Sequence, residues 1–352
     1  MKIKLAILDN DQNYLNRIVN VFGTKYSDKF QIYSFTSEEA ACSALETVKF
    51  DVMVASDSFE IDTSKLPKRC GFAYFVESSG IDTLNGQRVI CKFQKADLIY
   101  KQILSVYSEN AGNVSGFKFG DDNSRIIVFQ SVSGGVGGSS MAAACANRFV
   151  AKGKRTLYLN LERFGSSDLF FSAEGQFDMS DIIFALKSKK ANLAMKLESC
   201  VKQSANGVCF YSQSKIALDM MELSSEDIMR LLSEIRLTGS YDYIVLDMDF
   251  SIGEEMLKIY RMAHTIVWVS DGSEISNSKL FKAHTALSTI EQNADSSVLS
   301  RTALIYNKFS SKIGKIIDVG LKNIGGAPVF THATTLQVVE QLSVKEMFDV
   351  IM

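Results

Sequence analysis

A chain of 352 residues with 38 Lys+Arg, 40 Asp+Glu and 46% hydrophobic residues carries a formal net charge of -2, which is the balance of about two ordinary globular domains. That excludes a disordered, collagen-like or coiled-coil rod, and argues against a protein that coats nucleic acid through bulk electrostatics. No stretch approaches ~18 uninterrupted apolar residues, so no membrane-spanning helix is expected.

The start, Met1-Lys2-Ile3-Lys4-Leu5-Ala6-Ile7-Leu8, is basic and then apolar. Asp9 and Asp11 cut it too short for a signal peptide, and 4–8 reads as the first strand of a cytoplasmic protein. Further strands are expected at 31–35, 52–55, 73–76 and 88–91, with helices at 12–22, 38–48 and 95–107. Strands alternating with helices imply parallel βαβ units, here a flavodoxin-like sheet. Residues 109–124, rich in Gly, Asn, Ser and Asp and without periodicity, read as a linker between domains of 1–108 and 125–352. Beyond it, strands are expected at 126–130, 156–161, 208–211, 243–247, 265–269 and 302–306. Helices are expected at 139–152, 179–186, 225–237, 254–261, 276–292 and 335–348. This is a larger doubly wound α/β domain. Its last helix region holds Lys345 as its one cation, against Glu340, Glu346 and Asp349. That reads as a helix docked on the sheet, not as an interfacial helix with a basic face. The 6 Cys form no Cys-x-x-Cys pair and the 3 His are scattered, so neither a zinc site nor a Ser-His-Asp triad is expected.

The most informative segment is the apolar strand 126–130 running through Ser133-Gly-Gly-Val-Gly-Gly-Ser-Ser140 into an Ala-rich helix. Gly134, Gly135, Gly137 and Gly138 let backbone N–H groups approach an anion closely, and the helix N-terminus adds its dipole. Ser139 is placed to put a hydroxyl on Mg²⁺. A plain tight βα turn has the same composition.

The segment resembles the deviant Walker A motif of the MinD/ParA ATPases, KGGxGK[ST][ST], with both lysines absent. Ser133 stands at the signature lysine and Gly138 at the phosphate-gripping one. Gly153-Lys-Arg-Thr-Leu-Tyr-Leu-Asn-Leu-Glu162 is similar to the family's next strand, with Asn160 and Glu162 in place of two aspartates. Tyr241-Asp-Tyr-Ile-Val-Leu-Asp247 resembles Walker B, and Ala303-Leu-Ile-Tyr-Asn-Lys308 the strand whose final Asn reads adenine. The resemblance implies a P-loop domain that takes ATP and Mg²⁺. Its nucleotide contacts would come from Ser133, Gly134, Gly135, Val136, Gly137, Gly138, Ser139, Ser140 and Asn307. The metal would sit on Ser139 and Asp247, and Glu162 would face the attacking water. Losing a charge-assisted hydrogen bond of roughly 1.5–3 kcal/mol weakens ATP binding about ten- to hundredfold unless something compensates; Arg163 could in principle do so, but an Arg beside a βα loop is usually just solvated. Hydrolysis is expected to be slow or absent.

In the first domain, Leu8-Asp9-Asn10-Asp11 resembles the acidic cluster of two-component receivers, and Cys91-Lys92-Phe93 their Lys-Pro. Counting along Phe50-Asp-Val-Met-Val-Ala-Ser-Asp57 puts Ser56 at the acceptor position and Asp57 one residue late. The expectation is a receiver fold with degraded phosphorylation chemistry. Asp9 and Asp11 also fit strand-end acids with an N-cap for the next helix. A receiver followed by an eroded MinD/ParA domain resembles the TadZ/CpaE family of pilus-assembly and localisation factors. That resemblance implies an ATP-dependent homodimer, partners in a pilus or secretion machine, and recruitment to the cell pole or inner membrane face. Two alternatives stand beside it. One is an active partitioning ATPase binding DNA through Lys187, Lys189 and Lys190 or Lys308, Lys312 and Lys315; such runs are usually solvated faces, so nucleic acid is not the expected partner. The other is a response regulator controlled by phosphorylation.

Overall fold

The computed structural model describes residues 2–110, 124–188, 192–292 and 297–352. Most of the expected linker, and Lys189 and Lys190, lie outside the described residues. The chain divides into two compact units, Met1–Phe117 with Phe184–Cys200, and Lys118–Ile183 with Val201–Met352.

In the first unit, β1 (Ile3–Leu8), α1 (Gln12–Lys25), β2 (Phe30–Phe35), α2 (Glu38–Thr47), β3 (Val52–Ser56), β4 (Gly71–Val76), β5 (Thr83–Leu84), β6 (Gln87–Cys91) and α3 (Ala96–Asn110) follow in order. Their sheet runs β2-β1-β3-β4-β6-β5. It is parallel except for β5, which pairs antiparallel with β6. The first five strands keep the doubly wound order of the flavodoxin-like fold. The extra hairpin turns at Asn85 (φ 51°) and Gly86 (φ 73°), and Asn-Gly is the residue pair that a two-residue turn with both φ positive selects. Asp11 caps α1 by accepting from the Asn13 and Tyr14 amides, and Ser37 caps α2 with Glu38 and Glu39 in its first turn. Both are the charge pattern a helix N-terminus favours.

The second unit is built on β7 (Arg125–Gln130), α4 (Gly138–Ala151), β8 (Thr156–Asn160) and the start of α5 (Met179–Ser188). After α6 (Leu193–Cys200), which belongs to the first unit, come β9 (Lys202–Gln203), β10 (Cys209–Phe210), α7 (Ala217–Met221), α8 (Ser225–Leu237), β11 (Tyr243–Asp247), α9 (Glu254–Met262), β12 (Thr265–Ser270), α10 (Glu274–Gln292), β13 (Thr302–Tyr306), β14 (Lys322–Gly326) and α11 (Thr335–Ser343). The sheet order is β14-β13-β12-β7-β11-β8-β10-β9. Among the described residues only the β9–β10 pair of this sheet is antiparallel. Every residue of β8, β11 and β13 is buried, as continuous apolar strands covered on both faces must be. Met141 through Ala146 of α4 are fully buried, in one core with Phe129, Tyr158, Val245, Leu342 and Phe348.

The last expected helix, 335–348, is shorter. It ends at Ser343 and a 3₁₀ turn takes over at Glu346–Ile351. Lys345 between them is extended (φ -77°, ψ 136°). The change of direction sinks Met347 and Phe348 into the core, and Arg148 holds Asp349 in a two-pronged pair at 2.6 and 2.8 Å. The segment is docked, as the lack of a basic face implied, but it is not one helix. Five elements carried no signal strong enough to be expected: β5, α6, α7, β9 and β14.

Helix α6 completes the first unit. Met195 enters the core formed by β1, β3, β4 and α3. The buried Lys196 ammonium donates to Ser105 Oγ at 2.9 Å. Glu198 accepts from Lys29 at 2.9 Å and from the Tyr100 hydroxyl, and the Asn192 amide donates to the Ser108 carbonyl at 2.9 Å.

Candidate functional site

Parallel α/β sheets place ligands at the carboxyl ends of their strands, where the strand order turns back. In the second unit that is the end of β7, with β11 on one side and β12 on the other. The segment 131–137 leaves β7 there and enters α4. Gly135 (φ 78°) and Gly137 (φ 88°) are left-handed, a region that costs other residues about 1–2 kcal/mol. Gly137 is the N-cap of α4 and gives it no side-chain cap. The first-turn N–H groups have no intrahelical partner, so the positive end of the helix is open to an anion.

Two side chains from the end of β13 grip this loop. Asn307 Nδ2 donates to the Val136 carbonyl at 2.8 Å and Lys308 Nζ to the Gly135 carbonyl at 2.7 Å. Asn307 was expected at the adenine edge; the structure places it buried against the loop. The Val136 side chain is part of the core, so this residue offers the site only its backbone. Ser133, at the position of one missing lysine, is 7% exposed. Among the described residues, its Oγ and that of Ser131 are buried without a hydrogen-bond partner. A Cβ on Gly138, the position of the other missing lysine, would lie 2.4 Å from Ser131 Oγ. Ser140 sits in the first turn of α4, and Gly134 is exposed at the outside of the loop.

The acidic side of the site follows from sheet register. Asp247, the last residue of β11, pairs with Asn160 of β8 and Phe129 of β7. Tyr158, Asn160 and Glu162 alternate along β8 and its extension, so they share a face. The Tyr158 hydroxyl donates to Asp247 Oδ2 at 2.7 Å, and Asn160 Nδ2 donates to the same oxygen at 3.0 Å and to Glu162 Oε2 at 3.1 Å. Ser139 Oγ donates to Glu162 Oε2 at 3.3 Å. Burial, and next the Glu162 carboxylate, push the Asp247 carboxyl up to about 8. Burial first, then Asp249, also raise Glu162. Asp249 accepts the Arg163 amide at 3.0 Å, while the Arg163 side chain is exposed.

Crowded carboxyls whose proton affinity is raised in the absence of a counter-charge suit a hard cation, and Ser139 and Asp247, with Glu162 beside them, could supply oxygen donors for one. Among the described residues no group of three or more His, Cys, Asp or Glu closes around a metal. Mg²⁺ takes one or two carboxylates and completes its shell with water and phosphate oxygens. Sequence reasoning missed Ser131 and the bridging part of Asn160. The alternation of Tyr158, Asn160 and Glu162 was the available signal for the latter. It also missed Gly165, where a Cβ would lie 2.1 Å from Asn160 Oδ1.

In the first unit, the receiver-type pocket is closed on itself. Asp9 is fully buried and its Oδ2 lies 2.7 Å from Lys92 Nζ. Lys92 also donates to Ser56 Oγ at 3.2 Å and lies over the Tyr14 ring. Ser56 Oγ is 3.5 Å from Asp57 Oδ1, and Asp57 itself is exposed. Asp11 is spent on the cap of α1. The structure therefore brings Asp9, Ser56 and Lys92 together and leaves Asp11 and Asp57 at the edge.

Residues 1–108 match the family model described as "TadZ-like, receiver domain". No curated protein sequence matches the chain. Among solved structures, a ParA family ATPase from Chlorobium tepidum TLS is 19% identical with a TM-score of 0.50, covering 64% of this chain and 95% of that one. A MinC:MinD cell division protein complex from Aquifex aeolicus is 16% identical (TM-score 0.47, 62% of this chain and 86% of that one). A plasmid partition protein from Borrelia burgdorferi is 15% identical (TM-score 0.48, 65% and 100%). Residues 1–108 are thus TadZ-like, and the first of these structures shows that the larger domain has the ParA-type fold.

Proposed function

We propose that this chain, a TadZ-like receiver domain joined to a ParA-type P-loop domain, binds ATP with Mg²⁺ and acts as a nucleotide-clamped dimeric scaffold for a Tad-type pilus or secretion apparatus. The observation that carries the reading is the open N-terminus of α4 facing the crowded Glu162–Asp247 pair across Ser139. In this arrangement the loop amides and the unpartnered Ser131 and Ser133 hydroxyls receive the phosphates. Ser139 and Asp247 hold Mg²⁺, which neutralises phosphate charge when bound. Both lysine positions lack a cation, so charge developing on the terminal phosphate is poorly compensated and hydrolysis is slow or absent. The receiver domain serves as a partner surface: Lys92 is committed to the buried Asp9 and a serine holds the acceptor position. The protein works in the cytoplasm and is recruited to the pole or the inner membrane face. Among the described residues no helix is long and apolar enough to cross a membrane.

Light scattering with and without Mg²⁺–ATP tests the clamp. The expected result is a doubling of mass with ATP and phosphate release far below that of working ATPases. An unchanged mass at saturating ATP removes the dimer, and steady release at about 1 s⁻¹ or faster, the lower end of ordinary enzyme turnover, removes the slow-hydrolysis reading.

Gly137→Ala probes the loop. The new Cβ would sit 2.4 Å from Asn307 Nδ2 at a left-handed position. Strain of about 1–2 kcal/mol and loss of one hydrogen bond are expected to weaken ATP binding roughly tenfold or more. Calorimetric titration of the variant checks this.

A further inference from the structure

The proposed triphosphate site lacks both lysines, yet a lysine from elsewhere touches its loop. We infer that Asn307 and Lys308 are positioning residues that set and polarise the phosphate loop, replacing by backbone orientation what the missing lysines would supply by direct charge. The inference rests on the reading of the loop as a triphosphate site.

Two independent observations carry it. The first is the pair of hydrogen bonds to consecutive carbonyls, Lys308 Nζ to Gly135 O at 2.7 Å and Asn307 Nδ2 to Val136 O at 2.8 Å. A peptide group is planar and trans, so its C=O and N–H point in opposite directions. Pinning the Gly135 and Val136 carbonyls toward the end of β13 turns the Val136 and Gly137 amides the other way, toward the inner side of the loop. An ammonium on the Gly135 carbonyl also draws electron density along that peptide and strengthens its N–H as a donor.

The second observation is the backbone at Lys308, whose φ is +56°. A lysine gains nothing locally from a left-handed conformation, and holding one there costs about 1 kcal/mol or more. The conformation carries the Lys308 stem over Gly137: a Cβ on Gly137 would lie 3.8 Å from Lys308 Cε and 2.4 Å from Asn307 Nδ2. The left-handed glycine, the buried amide and the strained lysine thus fit only as a set. Asn307 itself is fixed because its own amide donates to the Ser270 carbonyl at 2.8 Å, at the end of neighbouring β12.

The test uses the full chain and two probes, ATP and inorganic tripolyphosphate, each with Mg²⁺. Lys308→Met removes the charge and keeps the stem; Lys308→Arg keeps a donor; Asn307→Ala removes the neutral tether. The expected result is that Lys308→Met and Asn307→Ala each weaken both probes by a similar factor, about fivefold or more, while Lys308→Arg recovers most of the loss. Equal loss for the two probes places the effect on phosphate binding and not on the base. In protein labelled with ¹⁵N-glycine and ¹⁵N-valine, the Gly137 and Val136 amide resonances should move in Lys308→Met before any ligand is added. Unchanged affinities in Lys308→Met, or a loss confined to ATP, overturn the inference. A loss in Lys308→Met with none in Asn307→Ala also overturns it, because that pattern marks a direct charge contact. If the wild type binds neither probe, the ATP reading fails on its own. The amide resonances then decide the loop-setting role, and their staying fixed in Lys308→Met overturns it.

Discussion

Asp247→Asn should make the metal-free protein more stable at pH 8 and abolish its response to Mg²⁺. The Asp247 carboxyl is fully buried, and its folded-state pKa stands at about 8, raised by burial and by Glu162. An acid with a raised folded pKa binds more protons folded than unfolded between the ordinary carboxylate range and that value. Stability therefore falls as pH rises through this window, at up to about 1.4 kcal/mol per pH unit for one group. Mg²⁺ favours the ionised form, so the stabilisation it gives should grow over the same window. Asparagine has no proton to lose, and its oxygen can still accept from Tyr158. Thermal unfolding between pH 5 and 9, with and without Mg²⁺, should show a downward slope in the metal-free wild type that is nearly flat in the variant. At pH 8 the variant should melt roughly 5 °C or more higher, since 1 kcal/mol is worth about 2–4 °C in a folding unit of about 150–250 residues, the size range of the second unit. A variant that is less stable at pH 8, or that still gains from Mg²⁺ as the wild type does, removes Asp247 from the cation site.

Gly138→Lys should tighten ATP binding about tenfold or more. A charge-assisted hydrogen bond is worth roughly 1.5–3 kcal/mol, and α4 already starts at this residue. The obstacle is local: a Cβ at 138 meets Ser131 Oγ at 2.4 Å. Ser131 is free to rotate about one bond, and Ser131→Ala in the same chain removes the clash outright. The double variant also loses the Ser131 hydroxyl, so its reference is Ser131→Ala, against which it should bind about tenfold or more tightly. Phosphate release should stay slow in both, because Ser133 still stands at the second lysine position. Calorimetry with ATP and a phosphate-release assay check the two halves. No gain in the double variant would mean that the loop does not hold a phosphate where the lysine would reach it.

Most of the sheet architecture could be read from the sequence because it rests on local signals. Runs such as 126–130 and 243–247 are apolar, of strand length and bounded by turn residues. The glycines at 134–138 announced a loop of unusual backbone before any family resemblance was invoked. What escaped depends on partners distant in the chain. The helix at Leu193–Cys200 carries Lys196, which reads as solvated until Ser105 and Glu109 are seen beside it. Asn307 stood out as a site residue, but no spacing rule says that its amide points at Val136. Lys308 belonged to a basic run that read as a solvated face, and its ammonium lies instead on a loop carbonyl. Ser131 was silent because its significance comes from the missing side chain at Gly138. The end of the last helix escaped for a similar reason: Arg148, 201 positions away in sequence, captures Asp349.

The position of α6 has a consequence for biosynthesis. Tyr100, Ser105 and Ser108 gain their covering from residues 192–198. A ribosome must therefore release about two hundred residues before the first unit can close, by which time strands of the second are already outside the exit tunnel. A gene cut at the 109–124 segment would give an amino-terminal fragment with an unclosed flank, prone to self-association.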